Sequence, residues 1–175
     1  MAAFLTGDRI MLRAPEPSDL DCMYRWENDT DLWTYGSNHT PLSRQLLYDY
    51  INSYDGDIYR ARQLRLMIVL KESGLPIGTL DLTDFDPRNH RAEVGILIDA
   101  EHTRQRYASE ALSLLDSYAR ECMGIHQWWC IVATDNLPAR SLFASAGYKS
   151  TGRLESWLCR NRSYSDAYIM QRIFQ

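Results

Sequence analysis

The sequence lacks long apolar runs and an excess of positive charge, and each absence excludes a class of protein. No apolar stretch reaches the roughly 20 residues that a membrane-spanning helix needs. The first ten residues, MAAFLTGDRI, also lack the basic and then apolar pattern of a secretory signal. The net charge of −4 argues against a protein that binds nucleic acid through general electrostatics. We therefore expect a cytoplasmic protein with neither a membrane nor a nucleic acid as its partner.

Cysteine and histidine are sparse and scattered. The four cysteines include no CxxC pair, and the four histidines show no spacing typical of metal ligands. The simplest interpretation is a reduced protein without a metal site. The string GxxxxGK[ST] is missing as well, which disfavours a nucleotide kinase.

The pattern of apolar residues predicts one α/β domain over residues 1–175. A chain of this length fits a single domain with its own core. The predicted order is β-α-α-β-β-β-α-β-α-β-β, with three strands in an antiparallel meander and a helical crossover that makes the next strand parallel. The predicted strands cover 9–14, 63–70, 76–85, 90–98, 126–134, 148–157 and 163–174, and the predicted helices cover 18–28, 43–55, 107–123 and 136–146.

The segment 92–124 carries the clearest functional signal. An apolar strand is followed by a loop with Arg104 and Arg106 and then by an amphipathic helix, which Gly124 is expected to end. Such a loop directs free backbone N–H groups and the positive end of the helix dipole at one point, where the arginines add charge. This arrangement predicts a phosphate or pyrophosphate site. The alternative is an ordinary strand–loop–helix connection with solvated arginines.

Three parts of the chain, together with the order of elements, resemble the GNAT superfamily of acetyl-CoA-dependent N-acetyltransferases. The string LRAPEPSDL resembles the opening strand and helix start in the subgroup that includes ribosomal-protein and spermidine acetyltransferases. The family's central strand and CoA-binding loop resemble HRAEVGILI and RQRYASEAL, and its late helix resembles DNLPARSLFASAGY. The resemblance covers nearly the whole chain. It implies a GNAT-like mixed, mostly antiparallel sheet of about seven strands, about four helices, and central parallel strands that splay apart.

The resemblance also implies acetyl-CoA as the acetyl donor and assigns residues to it. The strand backbone pairs with the pantetheine amides and polarises the thioester carbonyl, and the loop binds the pyrophosphate. The late helix adds two polar side chains. The implied CoA-binding residues are Ile96, Leu97, Ile98, Thr103, Arg104, Gln105, Arg106, Tyr107, Ala108, Asn136 and Arg140. Asn136 is equally well explained as a helix cap, and Arg140 as a solvated helix residue.

Two parts of the chain, the loop before the central helix and the late helix, depart from the family pattern. The family loop is usually Gln/Arg-x-x-Gly-x-Gly/Ala, and here only Ala108 matches. Arg106 stands at the glycine position, where its Cβ restricts the backbone, although its guanidinium can bind a phosphate oxygen bidentately. Phe143 stands where many members have a tyrosine that protonates the leaving thiolate. These departures favour an alternative in which the chain is a catalytically weak or inactive CoA-binding regulatory module.

Acetyl transfer needs a neutral amine, whereas an alkyl amine with a pKa of about 10.4 is protonated at neutral pH. By resemblance, Glu93 on the central strand is the base, acting directly or through water. An apolar setting would raise its pKa toward the working pH. The alternatives are a solvated glutamate or an ion pair of Glu93 with Arg91 or Arg65.

The acceptor side is less specified by the sequence. By resemblance, Trp33 and Tyr35 lie in the segment that shapes it, although Trp33 is equally well explained as a loop anchor. Carboxylates on a preceding strand and turn, at Asp81, Asp84 and Asp86, could supply negative charge. The expected acceptor is a small amine or polyamine, or a protein N-terminal amine, and a homodimer is among the assemblies that the resemblance allows. Two adjacent tryptophans at 128 and 129 are expected on opposite faces of a strand.

Overall fold

A seven-stranded mixed sheet forms the centre of the molecule. The computed structural model describes residues 5–33, 40–53, 56–160 and 162–174, with the backbone alone at Arg160. The strands are β1 (Ile10–Arg13), β2 (Leu64–Leu70), β3 (Pro76–Asp86), β4 (Arg91–Ile98), β5 (Gln127–Ala133), β6 (Lys149–Arg160) and β7 (Ser163–Ile173). Their order across the sheet is β1-β2-β3-β4-β5-β7-β6, which confirms the predicted mixed α/β architecture.

Six α-helices lie within the described ranges. They are α1 (Leu20–Glu27), α2 (Thr30–Trp33), α3 (Arg44–Ser53), α4 (Ile58–Ala61), α5 (Tyr107–Tyr118) and α6 (Leu137–Ser145). The sequence predicted the four longer helices but missed α2 and α4, because one helical turn is too short to show a periodic pattern. Of these six helices, none is both long and apolar enough to cross a membrane.

The two central strands separate soon after they begin. β4 and β5 run parallel and pair only where Arg91–Glu93 lie beside Gln127–Trp129, although both strands continue several residues further. β4 keeps its antiparallel pairing with β3 as far as Ile98. Beyond Glu93, one edge of β4 therefore pairs with no strand of the described residues, and the predicted splay is confirmed.

The two faces of the sheet are covered unequally. On one face, α5 and α6 pack over the main core, in which Leu112, Leu115 and Trp128 are almost fully buried. On the other face, α1 and α3 cover mainly β2 through Met23, Trp26, Leu47, Ile51, Met67 and Val69. Side chains of β3, β4 and β5 on this second face line open depressions instead. Clefts are thus placed over the point where the central strands part.

Two helix ends were predicted from local sequence, one correctly and one wrongly. Gly124 adopts a left-handed conformation with φ 60° at the end of the π turn that extends α5, so the predicted stop is confirmed. Ser18 was predicted as the cap of the first helix, and this is wrong. The carboxylate of Asp19 instead accepts from the Glu16 amide at 2.8 Å and forms a bidentate pair with Arg13. A serine hydroxyl cannot make both contacts, and the carboxylate pair links β1 to α1.

Candidate active site

Glu93 lies at the vertex where β4 and β5 separate. Its neighbours Ala92 and Val94 point into the core, so the alternation of the strand turns Glu93 to the opposite face. There its half-buried carboxylate borders a cleft of about 640 Å³. The Thr83 hydroxyl on β3 donates a hydrogen bond to Glu93 Oε2 at 3.2 Å.

The surroundings of Glu93 favour its protonated form. Burial raises the pKa of Glu93 above its ordinary value, the hydrogen bond from Thr83 opposes this shift, and the charge of Asp84 adds to it. The two arginines considered as partners are engaged elsewhere, because Arg91 pairs with Asp86 and Arg65 pairs with Glu27 and Asp81. Within the described part of the chain, no cation holds Glu93 in its ionised form, and the ion-pair interpretation is wrong.

The cleft is acidic. Four carboxylates and one guanidinium line it, at Glu27, Asp81, Asp84, Glu93 and Arg65. The guanidinium of Arg65 holds two of these carboxylates, with Nε 2.6 Å from Asp81 Oδ1. The remaining negative charge attracts a cationic molecule to the cleft.

The free edge of β4 forms one wall of the same cleft. Ile96, Leu97 and Ile98 all line it, and β5 has already turned away at this level. An extended ligand can pair with such a strand edge through its amide groups. The sequence prediction for these three residues is therefore compatible with their placement, and their contact with CoA stays a prediction.

The loop before α5 keeps a backbone path that glycine would favour. Arg104 and Arg106 adopt left-handed conformations with φ 61° and 65°, and Arg106 is the N-cap residue of α5. The Arg106 side chain does not cap this helix, and no other side chain of the described ranges accepts from its first backbone N–H groups, which are left for another acceptor. Arg106 thus adopts a left-handed conformation that glycine adopts freely, and this costs about 1–2 kcal/mol of folding free energy. The segment Thr103–Arg106 is exposed next to the helix start at Tyr107 and Ala108, and the binding of a pyrophosphate by these residues stays a prediction.

Arg9, which is distant in sequence, holds this loop in place. Its Nη1 donates to the Gln105 carbonyl at 2.9 Å, its Nε lies 3.0 Å from Glu110 Oε2, and its guanidinium stacks 4.6 Å from the Tyr107 ring centroid. Glu110 Oε1 also accepts from the backbone amides of Arg9 and Ile10. Sequence reasoning missed both residues, because they lie 101 positions apart and neither belongs to a recognisable motif.

The late helix contributes less than the resemblance implied. Asn136 Oδ1 accepts from the Ala139 amide at 3.2 Å, so the interpretation of Asn136 as a helix cap is confirmed. Arg140 was also interpreted as a solvated residue, and this is wrong. Its Nη1 donates to the Thr134 carbonyl at 2.8 Å and its guanidinium stacks on Tyr168, which attaches α6 to the sheet. A role of either residue in CoA binding stays a prediction. Phe143 is a buried core residue.

The acceptor residues are only partly described. Trp33 lines the cleft while its Nε1 donates to the Glu27 carbonyl at 2.7 Å, so it is a loop anchor whose ring also faces the site. Tyr35 falls in 34–39, outside the described residues. Trp26 was missed by the sequence analysis. It lines the cleft and donates from Nε1 to Asp99 Oδ2 at 2.8 Å, which fastens α1 to the end of β4.

Comparison with known proteins places this geometry in a family. Residues 9–149 match the family model described as an acetyltransferase (GNAT) domain. The chain is 26% identical over 170 residues to an uncharacterised N-acetyltransferase, YoaA, of Bacillus subtilis (strain 168), with 97% of this chain and 96% of the relative covered. It is 24% identical over 166 residues to the spermidine N(1)-acetyltransferase of Escherichia coli (strain K12), with 95% of this chain and 86% of the relative covered.

Solved structures share the fold. The spermidine N-acetyltransferase of Vibrio cholerae, in complex with CoA and spermine, superposes with a TM-score of 0.84 at 22% identity and covers 95% of this chain and 96% of that one. RimL, a ribosomal α-N-protein acetyltransferase in complex with CoA, gives a TM-score of 0.83 at 17% identity over 96% of both chains. The family model matches well over half of the chain, and the described fold agrees with it. The chain therefore belongs to the GNAT family of N-acetyltransferases.

Proposed function

We propose that the protein transfers an acetyl group from acetyl-CoA to a small cationic amine, with Glu93 as the general base. The observation that carries this proposal is a half-buried carboxylate without a cationic partner at the vertex of the splayed strands. The amine nitrogen forms a bond to the thioester carbonyl carbon, and the carbon–sulfur bond breaks. The amine proton passes to Glu93 directly or through water, and CoA leaves as the thiolate.

The raised pKa of Glu93 supports this role. A base works best when its pKa lies near the working pH, because it is then deprotonated and still takes up a proton readily. The leaving thiolate needs less assistance, since a thiol has a pKa of about 8.5. The absence of a hydroxyl at Phe143 is therefore compatible with turnover.

The donor side is proposed from backbone geometry. The free edge of β4 at residues 96–98 would pair with the pantetheine amides, and a backbone N–H there would polarise the thioester carbonyl. The uncapped start of α5 with Arg104 and Arg106 would bind the phosphates. The whole segment 103–108 would contact these phosphates of CoA.

The acidity of the cleft favours a small cationic amine over a protein N-terminus as the acceptor. A protonated amine gains from the carboxylates around Glu93 before it loses its proton to the base. Polyamine acetylation by a relative in Escherichia coli is compatible with this preference. A homodimer and a cytoplasmic location stay predictions of the sequence.

Release of the CoA thiol across a panel of amines, amino acids and N-terminal peptides tests this function. We expect Glu93→Gln to keep its affinity for CoA in calorimetry but to lose at least about a hundredfold in kcat/KM. The matched control is Glu72→Gln, which changes an exposed carboxylate in the turn between β2 and β3. A Glu93→Gln variant with near wild-type kcat/KM would refute the base. CoA binding without turnover of any amine would favour the regulatory module, for which Arg106 and Phe143 are the specific observations.

A further inference from the structure

A second depression adjoins the cleft that contains Glu93. It encloses about 540 Å³, and the residues that matter for its chemistry are Asp84, Trp129, Gln127, Gln171, Arg62 and Arg91. Asp84 lines both this depression and the cleft. Because the two spaces share this side chain, a molecule longer than a single amine can occupy both.

The register of the central strands places Trp129 directly beside Glu93. The two residues are partners in the short parallel pairing of β4 and β5, so their side chains lie next to each other on one face of the sheet. Trp128 is fully buried on the opposite face, as the alternation of the strand predicted. The half-buried indole of Trp129 therefore lines the depression immediately beyond the proposed base.

In the second depression Arg91 and Asp86 neutralise each other, whereas Arg62 and Asp84 have no ion-pair partner among the described residues. Arg91 Nη2 lies 3.3 Å from Asp86 Oδ2, and Arg62 Nη1 donates to the Phe85 carbonyl at 3.2 Å. The two glutamines also bind each other, with Gln171 Nε2 2.7 Å from Gln127 Oε1. By contrast, the carboxylate of Asp84 has no hydrogen-bond or ion-pair partner among the residues that the structure describes.

A bulge in β3 accounts for the position of Asp84. The register with β4 shifts between Thr83 and Asp86, and Asp84 has a left-handed φ of 50° there. Bulges redirect a side chain away from the regular alternation of a strand. The bulge thus leaves the exposed carboxylate of Asp84 at the junction of the two spaces, in the depression that Trp129 also lines.

We propose that the acceptor carries a second cationic group, an ammonium or a guanidinium, and that Asp84 and Trp129 are the residues that select it. The reacting nitrogen lies at Glu93 and the second cation lies between the Asp84 carboxylate and the Trp129 ring. A carboxylate attracts the charge, and the face of an indole adds a cation–π interaction. This inference rests on the proposed function, because it extends the site of Glu93 toward β5.

A matched pair of amines tests the inference. Butylamine and 1,4-diaminobutane differ by one terminal ammonium, and agmatine replaces that ammonium with a guanidinium. We expect wild-type kcat/KM, measured by thiol release, to favour the dications by about threefold to tenfold, since an ion pair with the exposed Asp84 carboxylate and a cation–π contact each contribute a few-fold. Asp84→Asn should reduce this preference to about twofold or less, mainly through a higher KM for the dications.

The choice of asparagine separates charge from backbone effects. Asparagine has the shape of aspartate and tolerates the left-handed conformation, so Asp84→Asn changes little but the charge. Trp129→Leu should lower the preference by about two- to fivefold, the range of a cation–π contact at an exposed site. The control Glu72→Gln should keep the wild-type preference.

Each other outcome overturns the inference in a recognisable way. Equal kcat/KM for butylamine and both dications in the wild-type protein would overturn the second subsite and leave the proposed function intact. The same holds if Asp84→Asn keeps the preference or lowers kcat/KM for every amine by one factor. Absence of turnover with all amines would overturn the proposed function and this inference together.

Discussion

Arg106→Gly is expected to stabilise the fold and to weaken CoA binding. Arg106 has φ 65° and ψ 13° at the N-cap of α5, a conformation that costs an ordinary residue about 1–2 kcal/mol. Glycine removes this cost but loses about 0.5–1 kcal/mol through its greater freedom in the unfolded chain. We expect the free energy of unfolding to rise by about 0.5–1 kcal/mol, or Tm by about 1–4 °C for a domain of this size.

The same substitution removes a guanidinium from the predicted phosphate site. A hydrogen bond to a charged group contributes about 1.5–3 kcal/mol, so the Kd for CoA should rise by about ten- to hundredfold. Urea titration measures the stability, and calorimetry with CoA measures the affinity. Arg106→Lys is the matched control, because lysine keeps both the positive charge and the unfavourable backbone. A less stable Arg106→Gly variant would refute the argument from backbone strain, and an unchanged Kd would refute the role of the guanidinium.

Two carboxylates should change the pH dependence of stability in opposite ways. Burial raises the pKa of Glu93, so its ionised form weakens the fold above that pKa, and Glu93→Gln should be more stable than wild type at pH 7.5 but not at pH 4. Urea titrations at both pH values test this, and an equal difference at both would contradict it. Burial alone would raise the pKa of Glu110, but the hydrogen bonds from Arg9 and Ile10 and the charge of Arg9 together outweigh it and lower that pKa. Its contribution is therefore present above the ordinary pKa of a glutamate and is lost as the pH falls through the folded value. Glu110→Gln should therefore lose about 1 kcal/mol at pH 7.5, and a loss of equal size at pH 3 would contradict this assignment.

The sequence predicted features that depend on neighbouring residues. The alternation of Ala92, Glu93 and Val94 turned Glu93 away from the core, and the left-handed stop at Gly124 followed from its lack of a Cβ. The splay of β4 and β5 came from resemblance rather than from a local pattern, and their pairing confirms it. The short helices and the bonds of Asp19 to Glu16 and Arg13 were missed, because they depend on contacts that a local pattern does not contain.

By itself the sequence determined the order of the strands and of the four longer helices, the face on which Glu93 lies and the loop that precedes α5, since these follow from periodicity and from the conformational limits of single residues. Only the tertiary structure decided which distant residues meet. It brought Arg9 to Glu110, and it engaged Arg65 and Arg91 away from Glu93. It also set Trp129 beside the carboxylates of Glu93 and Asp84. These contacts arise from strand register and from a bulge, and the free energy that fixes them is shared across the whole sheet, so no short segment of sequence specifies them.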